Sequence, residues 1–75
     1  MMDRQMLTDM WNSGATAAAE DIADTMAYDP DYAYDHANAL ALQLVDAAHL
    51  SSTDGRDLAT EWMDGYQTGY RDEME

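Results

Sequence analysis

The chain has 75 residues, with sixteen acidic side chains against three arginines, and its formal net charge is −13. A chain of this length forms one small domain whose hydrophobic core is thin. The charge argues against direct binding to nucleic acid or to an anionic membrane surface, because both require cationic groups on the protein. No cysteine is present, so disulfides and thiolate metal sites are excluded.

The first amphipathic segment predicts a helix over about residues 3–28. Apolar or small side chains recur every three or four residues and fill one side of it: Leu7, Trp11, Gly14, Ala18, Ile22 and Met26. Acids fall on the other side: Asp9, Glu20, Asp21 and Asp24. Valine and isoleucine occur once each while alanine is abundant, which favours helix over strand throughout the chain.

Two further helices are predicted over about residues 30–49 and 53–72. Asp29 can cap the second helix, and Pro30 suits its first position because the missing N–H costs nothing there. The apolar face of the second helix is Ala33, Tyr34, Ala37, Leu40, Ala41, Leu44, Val45 and Ala48. That of the third is Leu58, Trp62, Gly65, Tyr66 and Gly69, after a cap at Ser51, Ser52 or Thr53. We therefore expect an all-α fold, a small antiparallel three-helix bundle that spans residues 1–75 as a single domain.

The first and third helices share a pattern in which a tryptophan is followed by small residues one and two turns later. The residues are Trp11, Gly14 and Ala18 in one helix and Trp62, Gly65 and Gly69 in the other. Small residues let a neighbouring helix approach closely while the indole fills the space beside it, so the pattern predicts core packing. An old duplication is the alternative reading.

Four acids of the third helix form an acidic stripe, defined as Asp54, Asp57, Glu61 and Asp64. Their spacings of three, four and three place them on one side of the helix, where like charges repel. One interpretation is a solvated face. The other is a row of carboxylates that binds basic side chains which otherwise hold nucleic-acid phosphates.

Two other acidic surfaces are candidates for partner binding. On the outer face of the second helix, Leu42 lies between Asp35 and Asp46, which resembles an apolar anchor with a charged rim. At the turn before this helix, Asp29 and Asp31 lie among tyrosines, which give contact area at low entropy cost. A solvated surface is again the alternative for both.

No pattern of residues predicts catalysis or a metal site. The Asp29–Asp35 segment lacks the glycine and closing glutamate of a calcium loop, and His36 and His49 are too far apart on one helix to share a metal ion. Phosphate loops, dinucleotide fingerprints, zinc-protease motifs and nucleophile motifs are all lacking from the sequence. We therefore expect no enzyme activity, no cofactor and no metal.

The chain resembles a class of small, lysine-poor, acidic single domains, the DNA-mimic and anti-CRISPR inhibitors of phages and mobile elements. The resemblance rests on size, charge, the acidic stripe and the closing segment 62–72. It implies an inhibitor that occupies a basic nucleic-acid-binding surface of a host defence or DNA-processing protein. The class shares no alignment, so it assigns no residue roles.

Two alternatives to this function stay open. One is a small helical accessory or homo-oligomerising subunit, in which Tyr66 and Tyr70 serve a dimer or partner interface and not the monomer core. The other is a salt-adapted protein whose function the sequence does not reveal. In every case we expect a cytoplasmic protein, because residues 1–5 lack the basic and apolar regions of a signal peptide.

Overall fold

Three helices make up the fold, which confirms the all-α prediction. The computed structural model describes residues 4–24 and 28–74, and within them α1 spans Arg4–Ala23, α2 spans Pro30–Ala48 and α3 spans Ser52–Met74. The bounds of α2 and α3 agree with prediction to within two residues. Helix α1 is shorter than predicted: it ends at Ala23, and Asp24 lies in a turn. The predicted core residue Met26 lies outside the described residues.

Side-chain caps fix the starts of α2 and α3. Asp29 is extended, at φ −129° and ψ 93°, and its Oδ1 accepts the Tyr32 N–H at 3.1 Å while Pro30 begins α2. Ser51 caps α3: its Oγ accepts the Asp54 N–H at 3.1 Å, and Asp54 Oδ2 accepts the Ser51 N–H at 3.3 Å. These reciprocal bonds form a capping box, which satisfies backbone donors that the first helical turn leaves unpaired.

Helix α2 ends in a left-handed residue that is not glycine. His49 has φ 55° and ψ 45°, and its backbone N–H bonds to the carbonyl oxygen of Val45. The Leu50 N–H bonds to the same carbonyl at 3.0 Å. A residue in the left-handed conformation commonly ends a helix in this way. In this conformation a residue with a Cβ is less stable than glycine.

Helix α3 is central, and the other two helices both pack on it while scarcely touching each other. Along α2, His36 meets Trp62 and Val45 meets Gly55, so α2 runs antiparallel to α3. Along α1, Ser13 bonds to Trp62 and Asp21 bonds to Tyr66, so α1 runs parallel to α3. Neighbours in sequence are therefore antiparallel, as the short connections predict.

The shared tryptophan–glycine pattern is the contact between α1 and α3. Trp11 Nε1–H donates to Asp64 Oδ2 at 2.9 Å, and Trp62 Nε1–H donates to Ser13 Oγ at 3.2 Å. Each glycine lies against the backbone carbonyl of the opposite tryptophan, Gly14 against Trp62 and Gly65 against Trp11. The two helices thus make equivalent contacts that are related by an approximate two-fold axis. This geometry confirms the prediction that these residues pack the two helices together.

The largest fully buried side chains all belong to α3: Leu58, Trp62 and Tyr66. Alanines of the other helices cover them, among them Ala18, Ala33, Ala37 and Ala41. Three expectations from the helical wheels are wrong. Ala48, predicted on the apolar face of the second helix, is exposed. Tyr34 is 60% exposed instead of facing the core. Asp21 is half-buried and accepts a hydrogen bond from the Tyr66 hydroxyl at 3.0 Å, so it is not on the solvent side of α1.

Candidate functional site

The acidic stripe divides into two kinds of residue in the structure. Asp54 belongs to the capping box, and Asp64 is exposed but accepts the Trp11 indole N–H. Asp57 is exposed and Glu61 is half-buried. The stripe therefore lies on one side of α3 as predicted, but the carboxylates at its two ends also hold the fold together.

The outer face of α2 presents a large apolar side chain between acids. Leu42 is 68% exposed, and Asp35 and Asp46 are both exposed. Spacings of seven and four residues place all three on one face of α2. The structure thus shows the exposed leucine and its acidic neighbours on one face, and their role in binding a partner stays a prediction.

Leu42 also belongs to a feature that the sequence did not predict, a half-open groove between α2 and α3. The groove has a volume of about 670 Å³, and its lining is mainly apolar. We call its buried and half-buried apolar lining the floor: Ala41, Val45, Gly55, Ala59 and Met63. We call the other lining residues, most of them exposed, the walls: Tyr34, Asn38, Leu42, Ser52, Arg56, Thr60, Asp64 and Gln67. We call it the α2–α3 groove.

Acids lie along both outer edges of the α2–α3 groove. On the α2 side, Asp35 and Asp46 share the face of Leu42. On the α3 side, Asp64 lines the groove itself, and Asp57 lies one helical turn before the lining residue Thr60. Arg56 is the one cation among the groove-lining residues in the described part of the chain. The surface around the groove is thus apolar in the middle and negative at its edges.

The acidic turn, defined as Asp29 and Asp31, offers a partner only one of its two carboxylates. Asp29 is engaged as the cap of α2, whereas Asp31 is exposed in the first turn. Tyr32 is 54% exposed and its ring stacks on His36, whose ring lies 5.2 Å from that of Trp62. These ring contacts connect the exposed turn to the core.

Tyr66 and Tyr70 lie in the core and not on a surface. Tyr66 is 1% exposed and Tyr70 is 5% exposed, and their rings are 4.9 Å apart. Burial raises the pKa of the Tyr66 phenol well above its usual value near 10, and its hydrogen bonds with Tyr70 and Asp21 raise it further. The expectation that these two tyrosines serve a dimer or partner interface and not the monomer core is therefore wrong. Self-association of the chain stays a prediction.

Within residues 4–24 and 28–74, no cluster of three or more histidine and acidic side chains is placed to hold a metal ion. None of the helices in the same residues is long and apolar enough to cross a membrane. Comparison of the chain with protein-family models, with curated proteins and with solved structures gives no match.

Proposed function

We propose that this chain is an inhibitory binding protein that covers a basic, nucleic-acid-binding surface of another protein, and that it acts by occlusion and not by catalysis. The observation that carries the proposal is the set of exposed carboxylates on both sides of an apolar groove. Asp35, Asp46 and Asp57 are exposed there, and Leu42 offers an apolar anchor between them.

The overall charge fits the same function. A charge of −13 on a chain of this size speeds encounter with a basic surface and repels nucleic acid. The target would be a host defence or DNA-processing protein, as for the DNA-mimic and anti-CRISPR class, and the chain would act in the host cytoplasm. Electrostatic steering of this kind weakens as salt rises, because counterions screen exposed charges.

The experiment is capture of host proteins on the immobilised chain at low salt, followed by competition. We expect captured proteins that elute with rising salt, that bind DNA or RNA when free, and that release nucleic acid when the chain is added. A target that binds the chain and its nucleic acid at the same time would contradict occlusion.

The control distinguishes the effect of the groove-edge acids on inhibition from the effect of total charge. Asp46→Lys combined with Asp57→Lys alters the groove edges, whereas Asp9→Lys combined with Glu20→Lys makes the same change in net charge on α1. The first pair should weaken inhibition far more than the second. Equal weakening would indicate that only total charge matters, and unfolding of the wild type in dilute buffer would favour salt adaptation instead.

A further inference from the structure

We infer that the α2–α3 groove receives an amphipathic helix of the target protein, one whose apolar stripe is flanked on both sides by lysine or arginine. This inference rests on the proposed function, and it specifies which part of the target is covered. It names a helix as the recognised element in place of an extended basic surface.

The dimensions of the groove suit a helix. Its lining on α3 runs from Ser52 to Gln67, which corresponds to about 22 Å along the helix axis. A helix of roughly 15 residues, or four turns, has that length. An apolar groove between two helices is the kind of surface in which amphipathic helices bind proteins.

The floor and wall of the groove are apolar where such a helix would place its own apolar residues. Ala41 and Ala59 give a low floor, Met63 is a flexible side chain that adapts to different shapes, and Leu42 stands at the wall with 68% of its surface exposed. An exposed leucine at the edge of an apolar groove gains most when a partner covers it, because the gain follows the apolar area removed from water.

Charge complementarity determines which side chains the bound helix should carry on both sides of its apolar stripe. A helix seated in the groove would direct its side chains toward Asp35 and Asp46 along one edge and toward Asp57 and Asp64 along the other. Cations at those positions form pairs, and acids are repelled. A second copy of this chain is a poor occupant for the same reason, since it also carries a charge of −13. Arg56 is the local exception and should oppose a basic helix.

The test uses a synthetic helical peptide of roughly 15 residues, labelled with fluorescein, with leucines at every third or fourth position and lysines on both sides of the leucine stripe. A scrambled peptide of the same composition has the same charge but no apolar stripe. We expect the amphipathic peptide to bind at least tenfold more tightly by fluorescence anisotropy, in low salt. Equal affinities would overturn the groove inference.

Variants of the chain locate the binding. Leu42→Ala should weaken binding of the amphipathic peptide about tenfold, because it removes an anchor, and Arg56→Gln should strengthen it several-fold. Thr60→Arg should block the groove. Thr8→Arg is its matched control, since both threonines are exposed and each donates a hydrogen bond to the carbonyl four residues earlier in its helix. Equal effects of the two arginine variants would overturn the inference.

The two proposals fail in different ways. If the scrambled and amphipathic peptides bind equally while the chain still displaces nucleic acid from its target, the acidic surface acts without a seated helix and only the groove inference fails. If the peptide binds in the groove but captured targets keep their nucleic acid, the occlusion proposal fails. If light scattering shows a dimer that Thr60→Arg dissociates, the groove holds a second copy, and the inference of a basic helix is wrong.

Discussion

Replacing Gly14 by alanine should lower the free energy of unfolding by about 2–4 kcal/mol, although alanine is the better helix former. A Cβ at this position would lie inside contact distance of the Trp62 carbonyl oxygen, 2.9 Å from the carbonyl carbon and 3.0 Å from the Tyr66 nitrogen. All three are backbone atoms of α3, so no side-chain rotation can relieve the contact.

The magnitude follows from how far α1 and α3 must separate. Ordinary contacts between carbon atoms are about 3.5–4.0 Å, so the backbones must move apart by about 1 Å. Such a shift breaks the Trp11–Asp64 and Trp62–Ser13 hydrogen bonds, now 2.9 and 3.2 Å long. Two hydrogen bonds at about 1 kcal/mol each and about 1–3 kcal/mol of overpacking outweigh the gain of about 1 kcal/mol in helix propensity.

The assay is urea unfolding followed by circular dichroism and by tryptophan fluorescence. Gly65→Ala should behave like Gly14→Ala, because its Cβ would meet the Trp11 carbonyl in the equivalent contact. Gly55→Ala is the comparison: its Cβ would meet one methyl group of Val45 at 2.8 Å and no backbone atom, so a local shift of this side chain relieves the contact and the loss of stability should be smaller. If Gly14→Ala were as stable as the wild type, or Gly55→Ala equally damaging, the close contact of α1 and α3 would not limit stability.

Three further predictions concern stability. The Tyr66 pKa is higher in the folded chain than the unfolded value near 10, so the contribution of this phenol to stability is complete below pH 10 and falls by about 1.4 kcal/mol per pH unit above it. In Tyr66→Phe the urea midpoint should therefore fall less steeply above pH 10 than in the wild type, whereas in Tyr34→Phe it should fall as steeply. Equal slopes in the two variants would refute the assignment to Tyr66. His49→Gly should raise the free energy of unfolding by about 1 kcal/mol, because glycine adopts the left-handed conformation without a Cβ clash, and an unchanged or lower Tm would contradict this. Asp29→Ala should lower the free energy of unfolding by about 1 kcal/mol through loss of the α2 cap, whereas Asp46→Ala should leave it nearly unchanged; equal losses in urea unfolding would show that the cap has no special effect.

Local signals in the sequence predicted most of the fold. The Asp29–Pro30 pair marks the start of α2 because both residues act within one helical turn, and the predicted and observed starts agree. Helix α1 carries no comparable stop signal, since neither glycine nor proline follows Ala23 directly, and its end was placed too late. The register of α1 on α3 was not predicted, but the small residues that permit it were.

The candidate site was predictable only where it depends on one helix. Asp35, Leu42 and Asp46 share a face because of helical spacing alone. The α2–α3 groove depends on the distance between two helices, which the pattern of a single helix does not contain. For the same reason the hydrogen bonds that Asp64 and Asp21 accept could not be predicted. A helical wheel places an acid on the outward side, but the donors, Trp11 and Tyr66, belong to the neighbouring helix.

The exchanged tryptophan contacts have a consequence for the order of events during synthesis. They join residues 49 and 53 positions apart, so α1 cannot complete its packing until α3 has left the ribosome. At about 5–20 residues per second, that delay is about 3–10 s. Helices α2 and α3 are adjacent in sequence and can pair first as a hairpin, and α1 then docks on a surface already formed. A nascent chain stalled before Trp62 would expose the apolar face of α1, and the acids on its other face would be the main protection against aggregation during that time.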